Sequence, residues 1–154
     1  MASPKLQFRY DVDKYAEMVS QIFLDAYGMS RSKDKPLMTK LCGHPSCFGV
    51  LAGRNSNSDG FILLQQAGDT ADIIEFCVRQ AAQKKGIGRH LLEKGLEQVR
   101  SRGMKRVCLD VASTNQTALC LYRSAGFRII GRRPDYYSSE AGKIDALVMD
   151  CQLS

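Results

Sequence analysis

Among the 154 residues, one segment places groups that could hold an anion. Gln83-Lys84-Lys85-Gly86-Ile87-Gly88-Arg89 sits where an apolar run gives way to an amphipathic one. Two glycines let backbone approach a ligand closely. The first turn of a helix leaves N–H groups without internal partners, and its dipole favours negative charge. Lys84, Lys85 and Arg89 add positive charge. The chemistry implied is the grip of a phosphate or diphosphate. The third glycine of the dinucleotide fingerprint is missing, and so is the Gly-Lys-Ser/Thr of a P-loop, which turns the reading away from NAD and nucleoside triphosphates. A second cluster, Cys42, His44 and Cys47, has faint metal spacing, but it offers three soft ligands and no partner cluster to complete a tetrahedral site. No metal is expected, and these residues read as a loop.

The elements that must position the loop follow from periodicity. Apolar residues recur at helical spacing over 11–27, and Gly28 ends that run. Residues 29–36 read as a polar loop and Leu37 to Leu41 as a short helix. Residues 47–52, 61–66 and 72–78 read as an antiparallel meander of strands. Ile87, Leu91, Leu92, Leu96 and Val99 form the stripe of a helix over 86–102, closed by Gly103. Residues 106–111 form a strand. Thr114 or Asn115 caps a helix ending at Ala125-Gly126. A closing hairpin pairs 127–131 with 146–151 across a polar loop at 134–143. Strand–helix–strand units after a meander predict an α/β (α+β) fold. Its sheet is mixed, mostly antiparallel and twisted, with six to seven strands and helices on both faces. The length fits one domain over 1–154.

Composition narrows the partners. The net charge is +6, with 22 Lys/Arg against 16 Asp/Glu. The excess lies between Arg79 and Arg106, which favours a local anion site over a diffuse nucleic-acid surface. No aromatic pair on a suitable strand, zinc finger or helix-turn-helix signal supports nucleic-acid binding. No apolar run is long enough for a membrane span, and the N-terminus lacks the apolar core of a secretory signal. A cytoplasmic protein with reduced cysteines is the expectation.

The loop, the strand before it and the helix after it carry a resemblance. Gln83-Lys84-Lys85-Gly86-Ile87-Gly88 matches the Gln/Arg-x-x-Gly-x-Gly/Ala signature of the GNAT superfamily of acetyl-CoA-dependent N-acetyltransferases. The finer match is to the ribosomal-protein-alanine (RimI) type. It rests on Leu109 to Asn115, Leu121 to Phe127, Gly131 to Tyr137 and Asp145 to Met149. The resemblance implies a sheet whose central strands splay at Val78 and Asp110. It implies that Gln83, Lys84, Lys85, Gly86, Ile87, Gly88 and Arg89 grip the pyrophosphate of acetyl-CoA. Phe76, Cys77 and Val78 then lie along the pantetheine arm, with Asn115 on its other side.

For chemistry, the resemblance makes Tyr122 the general acid that protonates the leaving sulfur. Asp110 stands where the RimI type carries a glutamate proton acceptor, and being one methylene shorter it is expected to act through water. Glu75 and Asp72 are reserve bases, expected on opposite faces of their strand. Tyr136 and Tyr137, in the loop of the last hairpin, and Tyr27 and Met29, between the first two helices, are expected to wall the acceptor site with Glu75. A backbone N–H near Cys77 or Val78 serves as oxyanion donor. The acceptor implied is a protein N-terminus, foremost the alanine of a small-subunit ribosomal protein, reached by direct transfer. An α-amino group of pKa about 7.7–8.0 is about a tenth to a fifth neutral at pH 7, whereas a lysine near 10.4 is neutral about four times in ten thousand, so a weak base suffices for the former. The alternatives are a small-molecule amine or a lysine as acceptor, or a CoA-binding module without catalysis.

Overall fold

The computed structural model describes residues 5–54 and 57–153, with Met29 and Ser30 described in backbone only. Seven strands form one sheet in the order β1-β2-β3-β4-β5-β7-β6. In chain order they are β1 (Gln7–Arg9), β2 (Cys47–Gly53), β3 (Gly60–Ala67), β4 (Thr70–Val78), β5 (Arg106–Ala112), β6 (Arg128–Ser139) and β7 (Gly142–Gln152). The helices among the described residues are α1 (Ala16–Tyr27), α2 (Lys35–Cys42), α3 (Ile87–Ser101) and α4 (Gln116–Ser124). Every pairing is antiparallel except β4 with β5.

The sheet has a core on each face. Val19, Ile22 and Phe23 of α1 and Met38 of α2 pack with Leu51, Phe61 and Leu63 on one side. Leu91, Leu92, Leu96 and Val99 of α3, with Leu119 of α4, pack with Val50, Ile62, Leu64, Val107 and Leu109 on the other. Each fully buried Leu or Val contributes about 1.5–3 kcal/mol, so the period-3.6 stripe of α3 suffices to dock it. No helix among the described residues is long and apolar enough to cross a membrane.

The site depends on where β4 and β5 part. They pair only at Thr70↔Arg106, Ala71↔Val107 and Asp72↔Cys108. Beyond that the two strands diverge, as the resemblance implied. A bulge supplies a cause. Leu63 of β3 faces Glu75, but Leu64 faces Ile73, so Ile74 is an extra residue in β4. Bulges bend a strand and increase its twist, here just where β4 leaves its neighbour.

Several expectations need correcting. Strand β1 is an addition to the expected elements. The first helix begins at Ala16 rather than 11, after turns, and residues 29–34 form a 3₁₀ segment rather than a loop. The polar stretch 134–143 is mostly strand: β6 and β7 run on to Ser139 and from Gly142, so Tyr136 and Tyr137 lie in β6 and not in a loop. Polarity conceals the strand here because an edge strand in water needs no apolar face. Asp72 and Glu75 do not sit on opposite faces either. They face Gln65 and Leu63, two residues apart on β3, and therefore share a face. The bulge at Ile74 shifts the alternation by one.

Candidate active site

Two cavities meet in the opening between β4 and β5. One, of about 560 Å³, runs between Glu75 and Asp110 toward Tyr27, Tyr136 and Tyr137. The other, of about 440 Å³, runs along Phe76, Cys77 and Val78 to the start of α3. Tyr27, Phe76, Asn115, Ala118 and Tyr122 line both. A ligand spanning the two would pass Tyr122.

The second cavity ends on the glycine loop. Lys84 and Gly86 both have positive φ, 62° and 83°. Glycine takes that conformation without side-chain strain, and Gly86 is the N-cap of α3. His90 N–H is the first to reach back into the helix, to the Gly86 carbonyl at 3.3 Å. The amides of Ile87, Gly88 and Arg89 are thus left for an outside acceptor. A Cβ on Gly88 would stand 3.8 Å from Leu121 Cδ2 and Phe76 Cζ, so the fold itself leaves room for one. These free amides fit a diphosphate. Gln83, Lys84, Gly86, Ile87 and Gly88 line this cavity, whereas Lys85 and Arg89 are exposed and stand outside its lining. Gln83 also braces the loop, because its Nε2 donates to the Val78 carbonyl at 3.0 Å and ties the turn to β4.

Tyr122 is fixed by α4. The residue is 7% exposed, its ring meeting Phe76 edge-on at 6.2 Å and Phe127 at 5.5 Å between centroids. No buried side-chain oxygen among the described residues lacks a partner, and no hydrogen bond of the Tyr122 hydroxyl is found among them, so the hydroxyl is open to the cavities. Burial, with the neighbouring Glu75 charge behind it, pushes the phenol above its ordinary pKa and keeps it protonated at neutral pH. Asn115 caps α4, its Oδ1 accepting the Ala118 N–H at 3.1 Å, and still faces both cavities.

The carboxylates differ in setting. Glu75 is half-buried and accepts a hydrogen bond from the Tyr27 hydroxyl at 2.6 Å. Burial raises its pKa above the ordinary carboxylate value, against the opposing pull of that bond and of Arg31. Asp110 lines the first cavity and takes Arg133 Nε on its Oδ1 at 3.2 Å. Asp72 is exposed and lines neither cavity. Tyr136 and Tyr137 line the first cavity as an edge-on pair 4.9 Å apart, and burial pushes the Tyr137 phenol up to about 12. Burial likewise raises Tyr27 and Cys77, so Cys77 is poorly suited to act as a thiolate nucleophile. The Met29 side chain lies outside the described residues. No three His, Cys, Asp or Glu residues among the described residues are grouped to hold a metal.

Sequence reasoning missed Arg31. Its guanidinium lies over the Phe23 and Tyr27 rings at 4.9 and 5.0 Å and lines the first cavity. It falls in a segment without apolar period, so no local signal marks it.

The split sheet, the amide-lined loop and the enclosed tyrosine frame a continuous cleft with room and free donors for a ligand that carries a diphosphate. The chain belongs to the acetyltransferase (GNAT) family, whose pattern residues 16–127 match, and it is an acetyl-CoA-dependent N-acetyltransferase. It is 32% identical over 101 residues to the ribosomal protein bS18-alanine N-acetyltransferase of Escherichia coli K12, covering 66% of this chain and 68% of that protein. The crystal structure of the ribosomal-protein-S18-alanine N-acetyltransferase from Escherichia coli matches with a TM-score of 0.88 over 97% of this chain and 95% of that one, at 23% identity. The Bacillus subtilis acetyltransferase solved in complex with CoA matches at 0.76, over 97% of this chain and 100% of that one, at 19% identity.

Proposed function

We propose that this chain acetylates a protein N-terminal α-amino group, with the N-terminal alanine of a small-subunit ribosomal protein as the foremost acceptor. The observation that carries the reading is the meeting of the two cavities at Tyr122. One cavity ends on amides suited to a diphosphate. The other is walled by tyrosines and carboxylates suited to a peptide's ammonium end. The likeness to the bS18-alanine enzyme of Escherichia coli supports the choice of acceptor.

Acetyl-CoA supplies an activated acyl thioester. The amides of Ile87 and Gly88, with Lys84, hold its diphosphate, Arg89 adds positive charge from outside the cavity, and the open edge of β4 beside Phe76 to Val78 pairs with its amide-bearing arm. A β4 backbone N–H near Cys77 polarises the thioester carbonyl. Glu75 attracts the acceptor ammonium and takes up its proton by way of water, because its raised proton affinity brings it toward the amine's own range. Asp110, drawn to Arg133, contributes negative charge from the opposite wall and stands second as proton acceptor. The Tyr122 hydroxyl then protonates the departing sulfur. Tyr27, Tyr136 and Tyr137 embrace the first residues of the acceptor, and such a protein works in the cytoplasm, where ribosomes are assembled.

A panel of peptides starting with different residues, with lysine-bearing N-blocked peptides and small amines alongside, tests the reading. Free thiol is followed and products are located by mass spectrometry. Acetyl on the α-nitrogen of alanine-starting peptides is expected. Turnover confined to lysine or small amines would refute the N-terminal acceptor, and CoA binding without any turnover would refute the catalytic roles.

A further inference from the structure

Tyr136 and Tyr137 are neighbours in β6, and neighbours on a regular strand face opposite sides. Both nevertheless line the acceptor cavity. The register explains how. Arg133 faces Ala146 and Tyr137 faces Ile144, so the three residues Pro134, Asp135 and Tyr136 stand opposite the single residue Asp145. Proline brings no N–H to a ladder. Asp135 sits at φ 52°, in the left-handed region that a side chain adopts at a penalty. A segment of this kind needs partners from outside the ladder.

The Asp145 side chain supplies them. Its Oδ1 accepts the Asp135 N–H at 2.9 Å and its Oδ2 accepts Arg132 Nε at 2.7 Å. Its backbone carbonyl accepts the Ser113 N–H at 2.9 Å, which ties the same residue to the loop leading to Asn115 and α4. One residue therefore fixes the bulge and references it to the wall that carries Tyr122. The Asp135 hydrogen bond, with Arg132 behind it, holds the carboxyl below its ordinary pKa, so the clamp is ionised at neutral pH.

Resting on the reading that Tyr136 and Tyr137 hold the acceptor, we infer that Asp145 is a positioning residue for that acceptor. It locks the bulge of β6 that turns both tyrosines into the cleft, and it sets acceptor affinity without touching the acceptor. Among the described residues no hydrogen bond or ion pair joins it to the loop proposed to grip the diphosphate.

Steady-state acetyl transfer to an alanine-starting peptide tests this in the native protein, Asp145→Ala, Asp145→Asn, the double variant Asp145→Ala/Asp135→Gly, and Tyr137→Ala. Asp145→Ala is expected to raise the peptide KM about tenfold, moving kcat and the acetyl-CoA KM by less than about twofold, the signature of lost ground-state binding. Asp145→Asn keeps an acceptor for the Asp135 N–H and should raise it less. Glycine at 135 adopts the left-handed backbone freely and should recover part of the loss. A general loss of structure would move all three constants and would not be repaired at 135. If Tyr137→Ala raises the peptide KM but Asp145→Ala does not, the positioning role is overturned and the acceptor reading stands. An unchanged peptide KM in Tyr137→Ala overturns both. Should Asp145→Ala fail to fold, the near-isosteric Asp145→Asn decides, and an unchanged peptide KM there overturns the inference.

Discussion

Replacing Tyr122 by phenylalanine removes one oxygen from the junction of the cavities and nothing else. The ring keeps its contacts with Phe76 and Phe127. The hydroxyl opens to the cavities, and no protein hydrogen bond to it is found among the described residues, so the fold loses no internal partner. The expected change in stability is within about 0.5 kcal/mol. In the proposed mechanism the chemical step loses its proton donor, and a positioned acid accelerates by about 10²–10⁴. That is a barrier increase of about 3–5.5 kcal/mol. The groups proposed to grip the diphosphate are untouched, so coenzyme A should bind as before. The assay is thiol release at saturating acetyl-CoA and peptide, with calorimetric CoA titration and thermal melting of the same preparation. A kcat within about threefold of native would refute the acid role, because no positioned donor contributes so little. A parallel loss of melting temperature and CoA affinity would show instead that the oxygen holds structure.

Two further substitutions separate folding from function by sign. Gly88→Ala places a methyl where the protein leaves space and where a helix favours alanine by about 1 kcal/mol, so the melting temperature should hold or rise. The same methyl crowds the amides at the start of α3, so the acetyl-CoA KM should rise while the peptide KM does not, and an unchanged acetyl-CoA KM would count against the diphosphate grip. Glu75→Gln removes a charge whose burial is unfavourable. Since the folded pKa is raised, the ionised form weakens the fold as pH rises through that pKa, and the neutral amide should melt at the same or a higher temperature at pH 7. Activity should fall, and the acidic limb of the pH–rate profile, where native Glu75 gains its proton, should flatten; an unchanged limb would pass the proton-acceptor role to Asp110.

The glycine loop was legible because its requirement is local. Gly86 must adopt a left-handed backbone and the first amides of any helix lack partners, whatever the rest of the chain does. The meander, the α3 stripe and a cap at Thr114 or Asn115 were legible for the same reason, since periodicity and capping act over a few residues, and the structure places the cap at Asn115. Arg31 and Asp145 were not. Arg31 matters through rings of α1 and a carboxylate of β4, and Asp145 through a bulge about ten residues back along the paired strand.

What the sequence determined alone is six of the seven strands, the four helices and the glycine turn before α3, because those are written in short-range spacing and backbone preference. Tertiary structure decided which carboxylates share the cleft, and that adjacent tyrosines both face it. Strand alternation fixes a side chain's face only until a bulge inserts an unpaired residue. The bulges at Ile74 and at Pro134 to Tyr136 exist only against their partner strands, so the faces of Glu75 and Tyr136 emerge from pairing rather than from the residues themselves.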